Sequence, residues 1–159
     1  MKNQLLPGAA SNQHSLHPVI VVVFGLVTAI SLGRSLAHVF LPDGGANTIA
    51  TIITFSGTPD PDPVIHFVFG LWGLAQLGTA LLFVIVLLRY RNLIPLMWVF
   101  ILGEYGMRIV LGRVLKPLGP EYFGGTAPGE IGNYVLVPLA ALMLLWSALG
   151  GREPPASGA

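Results

Sequence analysis

The chain has no cysteine and very few charged residues. The absence of cysteine from all 159 residues excludes disulfide bonds, cysteine-ligated zinc, iron–sulfur clusters and thiol catalysis. Charged residues make up 9 % of the chain, against roughly 25 % in an ordinary soluble domain. The net charge of +1 provides no basic surface for nucleic acid. With 53 % hydrophobic residues and a mean hydropathy of +0.75, the composition predicts a membrane protein.

Four windows of the sequence are long and apolar enough to cross a bilayer, whose hydrocarbon core is about 30 Å thick. They cover residues 18–41, 63–88, 93–115 and 131–149. We therefore expect an all-α fold, an integral membrane four-helix bundle that forms a single transmembrane domain over residues 18–149. An N-terminal segment over residues 1–17 precedes it, and a flexible tail over residues 150–159 follows it.

Basic residues in short loops predict the orientation of the bundle. The side that both termini share holds Lys2, Arg89, Arg91 and Arg152, whereas the loops on the opposite side are mainly acidic. We therefore expect a multi-pass protein of the bacterial cytoplasmic (inner) membrane, with both termini in the cytoplasm.

The first outer loop carries a threonine pattern. Thr48, Thr51 and Thr54 recur at every third position, and isoleucines and Phe55 fill positions between them. This spacing predicts a short amphipathic helix over residues 47–55 that lies in the plane of the membrane interface. An extended strand is the disfavoured alternative, because an open strand edge lacks a partner at a membrane surface.

Polar residues within the spans gather in the outer half of the bilayer. At a rise of about 1.5 Å per residue, Glu104 falls near the centre of its span, and Arg34 and Arg108 lie roughly 6 Å further out. Because intramembrane polar groups are costly, this convergence marks a candidate ligand site. The predicted ligand-binding residues are Arg34, His38, His66, Glu104, Arg108 and Tyr134. No metal site is predicted, apart from the haem alternative below.

These residues also have purely structural interpretations. Glu104 and Arg108, four positions apart on one helix, form a satisfied ion pair in that interpretation. In the same interpretation, Arg34 extends its side chain to the outer head groups. His38 and His66 bond to loop carbonyls near the membrane surface.

Several segments together form a layout known from one group of proteins. The first span carries Arg34 near its end, residues 47–55 form an amphipathic outer segment, and residues 70–78 give a glycine-spaced second span that closes at Arg89. This layout resembles the broad DoxX-like group of small bacterial four-helix membrane proteins. The resemblance implies the fold. Members of such families often carry an acidic residue in the second span, near the position of Gln76 here.

Three functional hypotheses are consistent with these residues. The first is a membrane subunit or binding module that holds an amphipathic ligand, quinone-like or lipid, because Arg and His donate hydrogen bonds and His and Glu carry protons. The second is a b-type haem protein with His38 and His66 as the axial ligands. The third is a structural assembly subunit without a ligand.

The expected partners are the lipid bilayer and either a membrane-complex subunit or further copies of the chain, with no nucleic acid. The sequence holds no nucleophile elbow, phosphate-binding loop, dinucleotide fingerprint or zinc-protease motif. We therefore assign no catalytic residue. An enzyme that uses Glu104 and His66 as acid and base is the disfavoured alternative.

Overall fold

A computed structural model describes residues 5–149 of the protein, so the expected tail over residues 150–159 lies outside the described residues. The long helices of this range are α1 (Pro18–Phe40), α2 (Asp62–Arg89), α3 (Ile94–Val110) and α4 (Pro128–Leu149). A π-helical turn, Leu111–Leu115, extends α3, and short 3₁₀ turns lie at Arg91–Leu93 and Pro120–Tyr122. Four segments are long and apolar enough to cross a membrane, the third being α3 with its flanking turns. The described chain is therefore an all-helical, multi-pass membrane protein, as the composition predicts.

Proline residues mark where the helices begin. Pro18, Pro63 and Pro95 lie in the first turns of α1, α2 and α3, where a helix has no intrahelical partner for the missing N–H group. Pro138 lies inside α4. Proline can begin a helix but rarely continues one, so its positions in the sequence mark helix starts. The observed starts therefore agree with those of the predicted spans to within a few residues.

The helices pack as two hairpins. α1 lies close against α2, and α3 lies close against α4, whereas the backbones of α2 and α3 make far fewer close approaches. The hairpins meet through large side chains. The ring of Phe24 in α1 lies 5.7 Å from that of Trp98 in α3, across the two hairpins. Within the first hairpin it lies 5.5 Å from the ring of Phe83 in α2. All three rings are buried, so they form the centre of the hydrophobic core.

Two connecting loops cover the end of the bundle at which α1 and α3 finish, which we call the loop end. Residues 42–49 form turns rather than the expected amphipathic helix, so the helix predicted over residues 47–55 is not formed. Ile52 instead makes an antiparallel bridge with Phe123 of the second loop, and the N–H of Gly124 donates to the carbonyl of Thr51 at 2.7 Å. The second loop thus supplies the partner that an extended segment needs at a membrane surface.

The opposite end, which we call the terminal end, is closed by the segment before α1. The side-chain amide of Asn92 donates to the carbonyl of Ala9 at 2.8 Å, and the N–H of Ser11 donates to Asn92 Oδ1 at 2.9 Å. His17 caps the start of α1, and its ring stacks on that of Trp146 of α4 at 4.9 Å. The N-terminal segment therefore connects the α2–α3 turn to the start of α1 and the end of α4.

Candidate functional site

Two arginines from different helices lie over the same pair of aromatic rings. Arg34 is in α1 and Arg108 is in α3. The Arg34 Cζ atom lies 5.9 Å from the ring centroid of Trp72 and 5.7 Å from that of Tyr105. The Arg108 Cζ atom lies 5.0 Å and 4.8 Å from the same two centroids. The negative faces of the rings attract both guanidinium groups, so Trp72 and Tyr105 hold two like charges in one place. We call these four residues the arginine site.

The two arginines have different polar partners. Arg34 Nη2 donates to Gln76 Oε1 of α2 at 2.6 Å, and Arg108 forms an ion pair with Glu104 one turn earlier in α3. The Arg108 side chain is 18 % exposed and that of Glu104 is 40 % exposed. Arg108 therefore points into the bundle, whereas Glu104 reaches the membrane-facing surface. The cluster carries two positive charges and one negative charge.

Two hydrogen-bond donors of this cluster are buried without an acceptor among residues 5–149. They are Arg34 Nε and Gln76 Nε2, which we call the donor pair. The Gln76 side chain belongs to a residue that is only 7 % exposed. An unsatisfied buried donor costs about 1–3 kcal/mol. An acceptor oxygen placed beside these donors would remove that cost.

The two histidines lie next to the arginine site, toward the loop end. His38 and His66 both line a cavity of about 490 Å³ between the end of α1 and the start of α2. His38 Nδ1 lies 2.7 Å from the carbonyl oxygen of Gly44, and His66 Nε2 lies 2.8 Å from Asn47 Oδ1. The His38 ring also lies 4.8 Å from that of Trp72. Trp72 thus stands between the histidine cavity and the two arginines.

Asp43 organises the loop that covers this cavity. Its carboxylate accepts the N–H groups of Gly45, Asn47 and Thr48 and the hydroxyl of Thr48, at 2.8–3.2 Å. Desolvation of the carboxylate acts to raise its pKa, but these donated hydrogen bonds outweigh it and lower the pKa to about 2. The turn places Gly44 and Asn47, the partners of the two histidines, and so fixes the outer wall of the cavity.

Tyr134 belongs to a different cluster. Its hydroxyl accepts a hydrogen bond from Arg113 Nε at 3.1 Å, and Arg113 also pairs with Glu130. Tyr134 is 48 % exposed, and the side chains of Arg113 and Glu130 are 61 % and 45 % exposed. This cluster connects the π-helical turn to the start of α4 at the membrane-facing surface.

The structure therefore divides the six predicted site residues into three groups. It brings Arg34, Glu104 and Arg108 together, places His38 and His66 in the adjoining cavity, and places Tyr134 in the separate cluster. Arg34 bonds to Gln76 instead of extending to the head groups, whereas His38 does bond to a loop carbonyl.

Sequence reasoning missed Trp72 and Tyr105 as functional candidates. Aromatic residues in an apolar span are usually packing residues, so their type alone gives no signal. Their spacing does provide one. Trp72 lies four positions before Gln76, and Tyr105 lies three positions before Arg108, so each shares a helix face with a polar site residue.

Three comparisons were made with known proteins. No protein-family model matches the chain, and neither the curated proteins nor the solved structures include a significant match to it. The resemblance to the DoxX-like group accordingly stays a prediction.

Proposed function

We propose that the protein is a small membrane subunit or binding module that holds an amphipathic ligand by its oxygen-bearing head group at the arginine site. The observation that carries the proposal is the donor pair, Arg34 Nε and Gln76 Nε2, which is buried without an acceptor within residues 5–149. A quinone carbonyl or the phosphate or ester oxygens of a lipid would supply the acceptors that these donors need.

The charge of the site supports the same proposal. Arg34 and Arg108 contribute two positive charges, and Glu104 compensates one of them. In the bilayer an uncompensated charge is costly. A head group with partial or full negative charge on its oxygens would lower that cost, whereas a cationic head group would raise it.

Haem binding is the weaker candidate. Axial ligation takes one ring nitrogen from each histidine, but His66 Nε2 lies 2.8 Å from Asn47 Oδ1 and His38 Nδ1 lies 2.7 Å from the Gly44 carbonyl. Ligation by His66 through Nε2 would break its contact with Asn47, whereas His38 could ligate through Nε2 and keep its Nδ1 contact with the Gly44 carbonyl. The third hypothesis, a subunit without a ligand, requires polar groups that satisfy one another, and the donor pair within the described chain argues against it.

We propose further that the bundle lies in a bacterial inner membrane with both termini in the cytoplasm. The basic residues near the terminal end support this orientation, in particular Arg89 and Arg91 in the α2–α3 turn. The loop end, with the arginine site and the histidine cavity, would then face the outer leaflet. A membrane-complex subunit or a second copy of the chain remains the proposed partner.

Binding can be measured through the tryptophan fluorescence of the purified protein in nanodiscs. Two probes separate the two sources of oxygen acceptors. The first, 2,3-dimethoxy-5-methyl-1,4-benzoquinone, quenches the fluorescence directly. Binding of the second, dihexanoyl phosphatidylglycerol, is read from the rise in melting temperature with its concentration. Trp72→Phe identifies the share of the quenching that arises at the site. We expect Arg34→Gln to raise the Kd of the bound probe by about tenfold or more, since it removes charged hydrogen-bond donors.

Arg113→Gln is the matched control, because Arg113 lies in the separate cluster and is largely exposed. Its Kd should equal that of the unmodified protein. The proposal fails if neither probe binds, or if Arg34→Gln and Arg113→Gln bind both probes equally well. Thermal unfolding of each variant establishes that the folded protein is being compared.

A further inference from the structure

A membrane-facing cleft of about 450 Å³ lies between α2 and α3, where the two hairpins meet. It exists because the backbones of α2 and α3 approach each other far less closely than those of the helices within each hairpin. Its walls are apolar except for two side chains, one from each helix. Its lining includes Thr79 and Phe83 of α2 and Met97, Phe100, Gly103 and Glu104 of α3.

The cleft adjoins the arginine site through one residue. Glu104 lines the cleft and also pairs with Arg108. On α2, Thr79 and Phe83 follow Gln76 by three and seven positions, so all three share one helix face. On α3, Phe100 and Met97 precede Glu104 by four and seven positions, again on one face. Seven residues of helix extend about 10 Å, so the cleft leads from the polar site toward the terminal end.

We propose that this cleft holds the apolar tail of the ligand whose head group binds at the arginine site, and that the ligand enters from the bilayer between α2 and α3. This inference rests on the proposed function. Glu104 connects the polar arginine site to the apolar cleft. A polar site followed by a single apolar cleft matches an amphipathic molecule that has one head group and one chain. The 40 % exposure of the Glu104 side chain shows that the junction is open to the membrane.

Glycine at position 103 keeps the cleft open. Apart from the adjoining residues and backbone of its own helix, no atom of the described chain lies within 4 Å of a Cβ atom built on Gly103, so a larger side chain there would occupy the cleft. Gly103→Leu is therefore the variant that fills the cleft. Gly78→Leu is its control. Gly78 is an exposed glycine of α2 that does not line the cleft, and a Cβ atom built on it also meets no such neighbour within 4 Å in the described chain.

The experiment uses the full chain in nanodiscs and two quinones with the same benzoquinone head group. One has no tail, and the other has a ten-carbon tail that carries a photoreactive diazirine. Affinities are expressed per lipid, so that partition into the bilayer does not enter the comparison. After illumination, mass spectrometry of peptides locates the crosslinks. We expect them at Phe83, Met97 and Phe100, and we expect Gly103→Leu to reduce their yield at least ~5-fold.

Gly103→Leu should also weaken binding of the tailed quinone while leaving the tailless quinone unchanged, and Gly78→Leu should change neither. The inference is overturned if the crosslinks spread over the membrane-facing residues of all four spans, or if filling the cleft leaves their pattern unchanged. The crosslink map of the unmodified protein shows whether the crosslinks are confined to the cleft, even if a variant does not fold. Failure of both head-group probes to bind, the tailless quinone and dihexanoyl phosphatidylglycerol, would instead overturn the proposed function.

Discussion

Gly73 faces His38 so closely that a Cβ atom on Gly73 would lie 2.5 Å from the Cβ atom of His38 and 2.9 Å from its carbonyl carbon. Because the second contact is with the backbone, no side-chain rotation relieves it. We expect Gly73→Ala to lower the free energy of unfolding by about 1–3 kcal/mol, the usual cost of overpacking. The melting temperature in detergent measures this loss.

Gly78→Ala is the matched control on the same helix. A Cβ atom at Gly78 meets no described atom within 4 Å, and alanine favours a helix over glycine by up to about 1 kcal/mol. The control should therefore melt at the same temperature as the unmodified protein or slightly higher. Equal melting temperatures for the two variants would contradict the close contact of α1 with α2.

The ion pair between Glu104 and Arg108 should behave as a coupled unit. Glu104→Gln or Arg108→Gln leaves the other charge in the membrane, so each is expected to destabilise the protein by about 2–3 kcal/mol, and the double variant by less than the sum. A double-mutant cycle of unfolding free energies measures the coupling. Arg113 and Glu130 form the control pair, since their exposed side chains should couple by less than about 1 kcal/mol. A coupling no larger than that of the control pair would contradict the prediction.

Gln76→Glu should separate stability from binding. The new carboxylate would lie beside Arg34, whose Nη2 atom is 2.6 Å from Gln76 Oε1, and would neutralise the surplus positive charge of the arginine site. We expect a higher melting temperature together with a Kd for the tailless quinone that is about tenfold higher. Gln76→Leu is the comparison, because it removes the hydrogen bond without adding charge and should lower both stability and affinity. Tighter quinone binding by Gln76→Glu would refute the proposed role of the charge surplus.

The loop turn around Asp43 should make stability depend on acidic pH. Desolvation acts to raise the pKa of Asp43, but the hydrogen bonds donated by Thr48, Gly45 and Asn47 lower it to about 2. A pKa below the unfolded value of roughly 3.9 means that the ionised carboxylate stabilises the fold. This contribution is complete above pH ~4 and is lost as the pH falls toward 2.

Asp43→Asn should therefore lower the free energy of unfolding by about 1–2 kcal/mol at pH 6, after allowance for the partial exposure of the side chain. The difference from the unmodified protein should shrink as the pH approaches 2. Asp60→Asn, at an exposed aspartate of the same loop, is the control. A deficit of Asp43→Asn that stays constant from pH 6 to pH 2 would show that the carboxylate charge is not the cause.

The proposed orientation predicts where fused reporters are active. Alkaline phosphatase inserted after Thr58, in the exposed first loop, should be active because this enzyme requires the periplasm. The same enzyme fused after residue 149 should be inactive, whereas a fluorescent protein at that position should fold in the cytoplasm. The reverse pattern would place the loop end and the arginine site on the cytoplasmic side.

The four helices could be predicted from the sequence because each needs only local information. A long apolar run with proline in its first turn specifies a span by itself, and the observed helix starts lie within about three residues of the predicted ones. The ion pair of Glu104 with Arg108 is also local, since residues four positions apart share a helix face. Such features do not depend on how the helices pack.

The rest of the site depends on contacts between distant segments. The bond of Arg34 to Gln76 joins two helices, and the bridge of Ile52 to Phe123 joins two loops 71 positions apart in the chain. The threonine pattern of the first loop indicates a helix when taken alone, but pairing with the second loop satisfies the backbone in an extended form. The sequence predicts Tyr134 in the same cavity as the other site residues, yet the rotation of α4 directs its hydroxyl to Arg113.

The pairing of polar groups also has a consequence for how the chain is made. Arg34 finds its partner Gln76 in the very next helix, and Arg108 finds Glu104 within its own helix. Each arginine can thus reach a polar partner within its own hairpin, before the two hairpins meet. Insertion of either hairpin therefore does not depend on a hydrogen bond or ion pair supplied by the other one.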